Sequence, residues 1–207
     1  MPSKYVVRNF KENAYYHIYN SGVENRAVFR DSSDYEMFLQ YLLIYTAPKT
    51  LVSSRYPHVA PRLLAKNLSE HIIVVAYCLM PNHFHLLFRQ KTKGMLSKLM
   101  KQVINAYTTY FNTKYKRAGA LLRGRYKSVL IESDYLLLQM IRFVHLNPSV
   151  AGLCESPAEY RWSSYKHPLS GNEVMGRFGS AGKWEAFHID SASYTLNTPK
   201  IRHLMID

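Results

Sequence analysis

Two histidines one position apart, His83 and His85, lie in the run LMPNHFHLLF at residues 79–88. Neutral imidazole is the commonest protein ligand for metal ions, using one ring nitrogen and leaving the other for an outer partner. In a strand, alternate side chains share a face, so these two would stand on the same side with Cα atoms about 6.5–7 Å apart. At that spacing they can lean toward one cation or one phosphate. Phe84, Leu86 and Phe88 would then point the other way, into a core. Two imidazoles alone leave a coordination sphere incomplete, so a third ligand must come from elsewhere in the chain.

The charge pattern indicates what such a site would face. The 207 residues carry a formal charge of +13, and it is concentrated. Residues 71–131 contain no Asp or Glu and eleven Lys or Arg, whereas the rest of the chain sets sixteen bases against fourteen acids. A field of one sign over that length favours a polyanion, so nucleic acid is the expected partner. Arg123, Arg125 and Lys127 cluster around Tyr126, with phosphate contact as the functional reading and a solvated loop as the alternative. The Tyr126 ring could stack on a base, and Lys98 and Lys101 add phosphate contacts from a helix. The longest uncharged apolar stretch, Ile72 to Met80, is too short to span a membrane. The first residues have no apolar signal region, so a cytoplasmic protein is expected. Cys78 and Cys154 lie far apart, outside any Cys-x-x-Cys spacing, which argues against a disulfide framework or a zinc knuckle.

The elements that would position these groups follow from periodicity. Tyr15 to Asn20 reads as a strand, and Ser33 with Glu36 has capping-box spacing before a helical face of Tyr35, Phe38, Leu39 and Leu42. Residues 48–70 read as an irregular connection. Two β-rich runs around Pro81-Asn82 predict a hairpin at the centre of the sheet. A helix follows over residues 94–116, then a strand over 126–132. A last helix, capped by Ser133 or Asp134, should stop near Asn147, because Pro148 disfavours helical backbone in the residue before it. The order strand, helix, two strands, helix, strand, helix suits an α+β, ferredoxin-like fold, a central antiparallel sheet with helices packed on one face. One domain over residues 1–170 is expected, with a polar and aromatic extension over 171–207.

Several motifs in order carry a family resemblance: YHIYNSGVENRAVFRDSSDYEMF at 16–38, LMPNHFHLL at 79–87, GRYKSVL at 124–130, HLNPSVAGL at 145–153 and WSSY at 162–165. Together they resemble the transposases that act on single-stranded DNA through one tyrosine and a histidine-hydrophobic-histidine (HUH) metal pair. Within that superfamily they are most similar to the REP-associated tyrosine transposases. The resemblance spans about residues 15–165. It implies that His83 and His85 hold a divalent metal, Mg²⁺ or Mn²⁺, against a scissile phosphate, and that the amide of Asn147 is a further ligand. It also implies a single-stranded DNA partner with a hairpin, and a monomer or homodimer. In such chemistry a tyrosine attacks the phosphate, leaving a phosphotyrosine link that can be displaced again, so cleavage and rejoining are both possible.

One position departs from the pattern. The family tyrosine stands four residues before the asparagine, on the same helix face, and here that residue is Phe143. A benzene ring fills nearly the same volume but cannot attack phosphorus. Three readings stay open: a chain that binds DNA without cutting it, a substitution introduced to trap a complex, or another tyrosine in the role. Tyr107 and Tyr110 fall on the apolar side of a helix, Tyr135 lies two turns before position 143, and none has the family spacing. His145 reads as a packed or capping histidine and His17 as structural. The competing functions are a strand transferase, a non-catalytic DNA-binding regulator derived from a transposase, and an RNA-binding sheet. The last gives no reason for His83 and His85 to be paired.

Overall fold

The computed structural model of this protein describes residues 9–166 and 168–169, so the expected extension over 171–207 lies outside the described residues. Four strands, β1 (Ala14–Ser21), β2 (Ile72–Met80), β3 (His83–Gln90) and β4 (Lys127–Ile131), form one sheet. The helices are α1 (Ser32–Thr46), α2 (Lys49–Arg55), α3 (Pro61–Leu64), α4 (Met95–Lys114) and α5 (Asp134–Val150). Sheet order is β2-β3-β1-β4 with every pair antiparallel. This is the ferredoxin-like arrangement expected from the element order. The β2–β3 hairpin is not central, however: β1 and β3 are the inner strands, and β2 is an edge.

The sheet has a core on each face. Tyr16 and Ile18 of β1 and Phe84, Leu86 and Phe88 of β3 pack against Phe38 and Leu42 of α1 and Leu99, Val103 and Tyr107 of α4. On the other face Tyr19, Cys78, Met80, Leu87, Val129 and Ile131 pack against Leu137, Met140, Ile141, Phe143 and Val144 of α5. Helices on one face is therefore correct for α1 and α4, while α5 covers the opposite side. The physical reason is the sheet's second apolar surface, which needs cover. A bulge between Val74 and Ala76 shifts the alternation of β2, so Val74 faces α1 and α4, Ala76 faces α5 and Tyr77 faces α1 and α4 again.

Element ends differ from expectation in two places. Asp31, not Ser33, caps α1, its side chain accepting from the Asp34 backbone N–H, while Glu36 pairs outward with Arg161 at 2.9 Å. Ser133 caps α5 as expected, but the helix runs through Pro148 to Val150 rather than stopping at Asn147. Its last turn is still satisfied: Ala151 N–H donates to the Asn147 carbonyl, and Leu153 N–H to that of Pro148. The span expected to be irregular, residues 48–70, contains the short helices α2 and α3.

Two loops fix the ends of the hairpin. At its tip, Gly22 N–H donates to the Asn82 carbonyl at 2.8 Å, and Val28 and Phe29 N–H both donate to the Pro81 carbonyl. Gly22 is required there, since a Cβ would stand 2.2 Å from the Arg26 carbonyl oxygen. Along the β2 edge, the WSSY segment adds a short extra rung. Leu79 N–H donates to the Trp162 carbonyl and Ser164 N–H to that of Tyr77. The Ser164 hydroxyl accepts from Tyr77 N–H at 2.8 Å and lies 2.8 Å from His145 Nε2 on α5. Ser164→Ala should remove a partner from two buried groups and cost about 1–3 kcal/mol. Urea unfolding should read this loss while the far-ultraviolet circular dichroism of the folded state stays unchanged.

Candidate functional site

The side of β3 that faces α5 carries His83 and His85, and its next residue on that side, Leu87, belongs to the core. The two-residue turn at Pro81-Asn82 sets this parity, pairing Met80 with His83 and Cys78 with His85. The imidazole centroids are 5.1 Å apart with planes at 88°. From α5, one turn apart on one face, come Phe143 and Asn147. The Phe143 ring lies 5.0 Å from His85, nearly perpendicular to it, and is 5% exposed. The amide nitrogen of Asn147 is 3.4 Å from His85 Nε2, at the outer limit of a hydrogen bond. The chain thus brings together His83, His85, Phe143 and Asn147.

Each histidine is oriented from behind. His83 Nδ1 is 2.6 Å from Asn82 Oδ1, while the Asn82 amide nitrogen donates to Asn25 Oδ1 at 2.7 Å. That second bond directs the Asn82 oxygen at His83, so His83 Nδ1 carries the proton and its Nε2 is the nitrogen left with a lone pair. His85 Nδ1 is 2.9 Å from Nε2 of His17, a residue of β1 with no exposed surface. His17, read from the sequence as structural, is therefore in the site. No spacing along the chain reveals it, because β1 and β3 meet only through long-range pairing.

Both candidate ligands are held in the neutral form that donates a lone pair. Burial lowers the pKa of His83, against a smaller rise from Asn147. Burial, with the neighbouring His17 and His83, takes that of His85 well below the ordinary range. Among the described residues no group of three or more His, Cys, Asp or Glu is arranged to hold a metal ion. A cation here would take two imidazoles and an amide oxygen, a set compatible with Mn²⁺ or Mg²⁺. These donors are all neutral, so phosphate oxygens would have to supply the negative charge. That fits an ion that binds together with nucleic acid.

The expected DNA contacts fall into two groups on opposite sides of the sheet. Lys127 pairs with Tyr19 across the β1–β4 ladder and places its ammonium 5.5 Å from that ring, on the side of the histidines. Arg123 and Arg125 are exposed beside it. Tyr126 is half-buried against the α1 and α4 core with its hydroxyl enclosed and Arg125 over its ring, so it is less open to a stacking base than expected. Lys98 and Lys101 lie on α4, across the sheet from His83 and His85. They line a groove of about 840 Å³ with Tyr41, Arg62 and Lys66, and among the described residues no carboxylate lines it. His145 is buried against Ser164 and Tyr165, a packing role.

The split βαββαβ sheet thus presents paired imidazoles to an amide on the closing helix. Known proteins are similar to part of the sequence and to the fold. A family model described as "Transposase IS200 like" matches residues 49–140, which takes in His83 and His85 and ends before Phe143 and Asn147. Residues 49–140, less than half of the chain, are thus similar to an IS200-like transposase domain. No curated protein matches it. A solved REP-associated tyrosine transposase bound to a REP hairpin is 13% identical, with a TM-score of 0.51 over 82% of this chain and 92% of that one. At this identity the likeness speaks for the fold. A protein described as a transposase from Deinococcus radiodurans R1 is 14% identical, with a TM-score of 0.37 over 67% of this chain and 93% of that one.

The buried histidines have a consequence for acid stability. The unfolded chain takes up protons at His83 and His85 near their ordinary value of 6.5, and the folded chain does so only at lower pH. Between those values the unfolded state holds more protons, so stability present above pH 6.5 is lost as pH falls. In metal-free protein, urea unfolding should show this decline below about pH 6.5. His85→Gln should make the decline shallower.

Proposed function

We propose that this chain is a transposase-type protein that binds single-stranded DNA bearing a hairpin, holds a divalent cation at His83, His85 and Asn147, and does not cleave as it stands. The convergence of those three side chains beside Phe143 carries the reading. A divalent cation bound there would withdraw charge from the oxygens of a phosphate. His83 and His85 would meet it through Nε2, and Asn147 through its amide oxygen once the side chain turns. Lys127, Arg123 and Arg125 would hold the adjoining backbone, and the basic groove with Lys98 and Lys101 would take a second stretch of it. The hairpin bound by the solved relative supports the same ligand class here.

Phe143 closes the α5 side of the site with a ring that has no hydroxyl. The position that should supply a phenoxide therefore supplies only an apolar wall. The same observation favours a regulator that kept a transposase's binding surface without its chemistry. Both descriptions share the DNA, the cation and the absent nucleophile.

Incubated with a labelled hairpin oligonucleotide and Mn²⁺, the protein should bind and form no adduct that survives denaturing electrophoresis, while Phe143→Tyr should form one. An adduct from the unmodified protein would mean that another side chain is the nucleophile. In a salt titration of hairpin binding, the double substitution Arg125→Ala and Lys127→Ala should weaken affinity and flatten the dependence of log K on log salt by about two units. An unchanged slope would remove both residues from the interface.

A further inference from the structure

His85 has two ring nitrogens and 1% exposed surface, so its proton is assigned by protein groups rather than by bulk water. His83 has its tautomer fixed by a carbonyl-type oxygen behind it. His85 has another imidazole behind it, and an imidazole can either give or take. We propose that His17 is the positioning residue of this site: it accepts the Nδ1 proton of His85, so that the Nε2 lone pair of His85 faces Asn147 and a bound divalent cation. This rests on the metal-site reading above and adds to it the residue that makes one ligand competent.

The geometry suits an in-plane hydrogen bond. The rings of His17 and His85 have centroids 5.1 Å apart and planes at 15°, and a nitrogen-to-nitrogen distance of 2.9 Å. Those values together put the rings edge to edge and nearly coplanar, with lone pair and N–H in line. Strand pairing fixes the approach. Tyr19 stands opposite His85 and His17 opposite Leu87, so the bond crosses the β1–β3 ladder diagonally. The His17 ring is held on its flanks, parallel to Tyr19 at 4.9 Å and edge-on to Phe143 at 6.0 Å. It cannot swing away without breaking the packing under α5.

The two tautomers of the pair have opposite consequences. If His17 Nε2 carried the proton and gave it to His85 Nδ1, then His85 Nε2–H would point at the cation position and exclude it. If His85 Nδ1 carries the proton, the Nε2 lone pair points there, and the Asn147 amide nitrogen at 3.4 Å can donate to it until a cation replaces that contact. Only the second arrangement matches His83, whose Nδ1 carries the proton and whose Nε2 is left bare. Outer partners of ligating histidines commonly set affinity in this manner, and their loss costs about 10–100-fold.

The test reads the proton directly. Long-range ¹H–¹⁵N correlation of metal-free full-length protein at neutral pH should show His85 protonated at Nδ1 and bare at Nε2. Mn²⁺ titration in the presence of a hairpin oligonucleotide, followed by loss of the free-ion electron paramagnetic resonance signal, should show about 10–100-fold weaker binding for His17→Leu. His17→Gln, whose side-chain oxygen can accept from the same N–H, should recover most of that loss. A His85 ring protonated at Nε2 overturns the proposal even if the leucine variant fails to fold, and so does a folded His17→Leu that binds Mn²⁺ like the parent. If the parent binds no Mn²⁺ at all, the metal-site reading fails, and the spectrum alone decides the role of His17.

Discussion

Alternation along β3 is the constraint from which the site follows. Phe84, Leu86 and Phe88 are buried under α1 and α4, so His83 and His85 must emerge on the other side. That side would be an open sheet if α5 did not cross it. Because α5 does cross it, the histidines lie in a narrow layer walled by Phe143 and closed by Asn147. Burial there keeps them neutral, and neutral imidazoles attract a cation while charged ones would repel it. Fold and chemistry are thus joined through one strand's two faces.

The electrostatics of the chain complement this layer. The site has no carboxylate among its donors, and the surrounding segment from residue 71 to 131 has none either. Carboxylates do occur where the fold needs them: Asp31 and Asp34 both bind Lys114, joining α1 to the end of α4. In the groove at Lys98 and Lys101 no carboxylate lies among the described lining residues, and Lys127 stands on the side of the histidines. A strand of phosphates would therefore bring the negative charge that the protein omits, at both faces of the sheet.

Much of this could be read from residue order. His83 and His85 share a face because a two-residue turn separates two apolar runs, and Phe143 and Asn147 share one because they are a helical turn apart. Long-range pairing could not be read. His17 joins His85 only because β1 lies beside β3, and nothing near residue 17 records that neighbour. The bulge after Val74 was hidden because IIVVAYCLM is apolar throughout and gives no alternation to interrupt. That same unbroken run was the available sign that β2 is covered on both faces, and so that a helix must lie on each side. The cap of α1 went to Asp31 because an aspartate two residues ahead of Ser33 accepts from the Asp34 N–H and starts the helix earlier, leaving Ser33 inside the first turn.

The hairpin tip has a consequence for how this protein can vary. With the Pro81 carbonyl shared by two donors and the Asn82 carbonyl taken by Gly22, the turn is clamped at two residues by the loop that follows β1. One added residue would either tear that clamp or slide β3 by a single step. A slide would drive both imidazoles into the greasy layer beneath α4 and push Phe84 and Leu86 out toward the incoming polyanion. Length at this bend is thus under tighter constraint than composition, and it acts as a gauge that keeps the reactive side of the sheet turned outward.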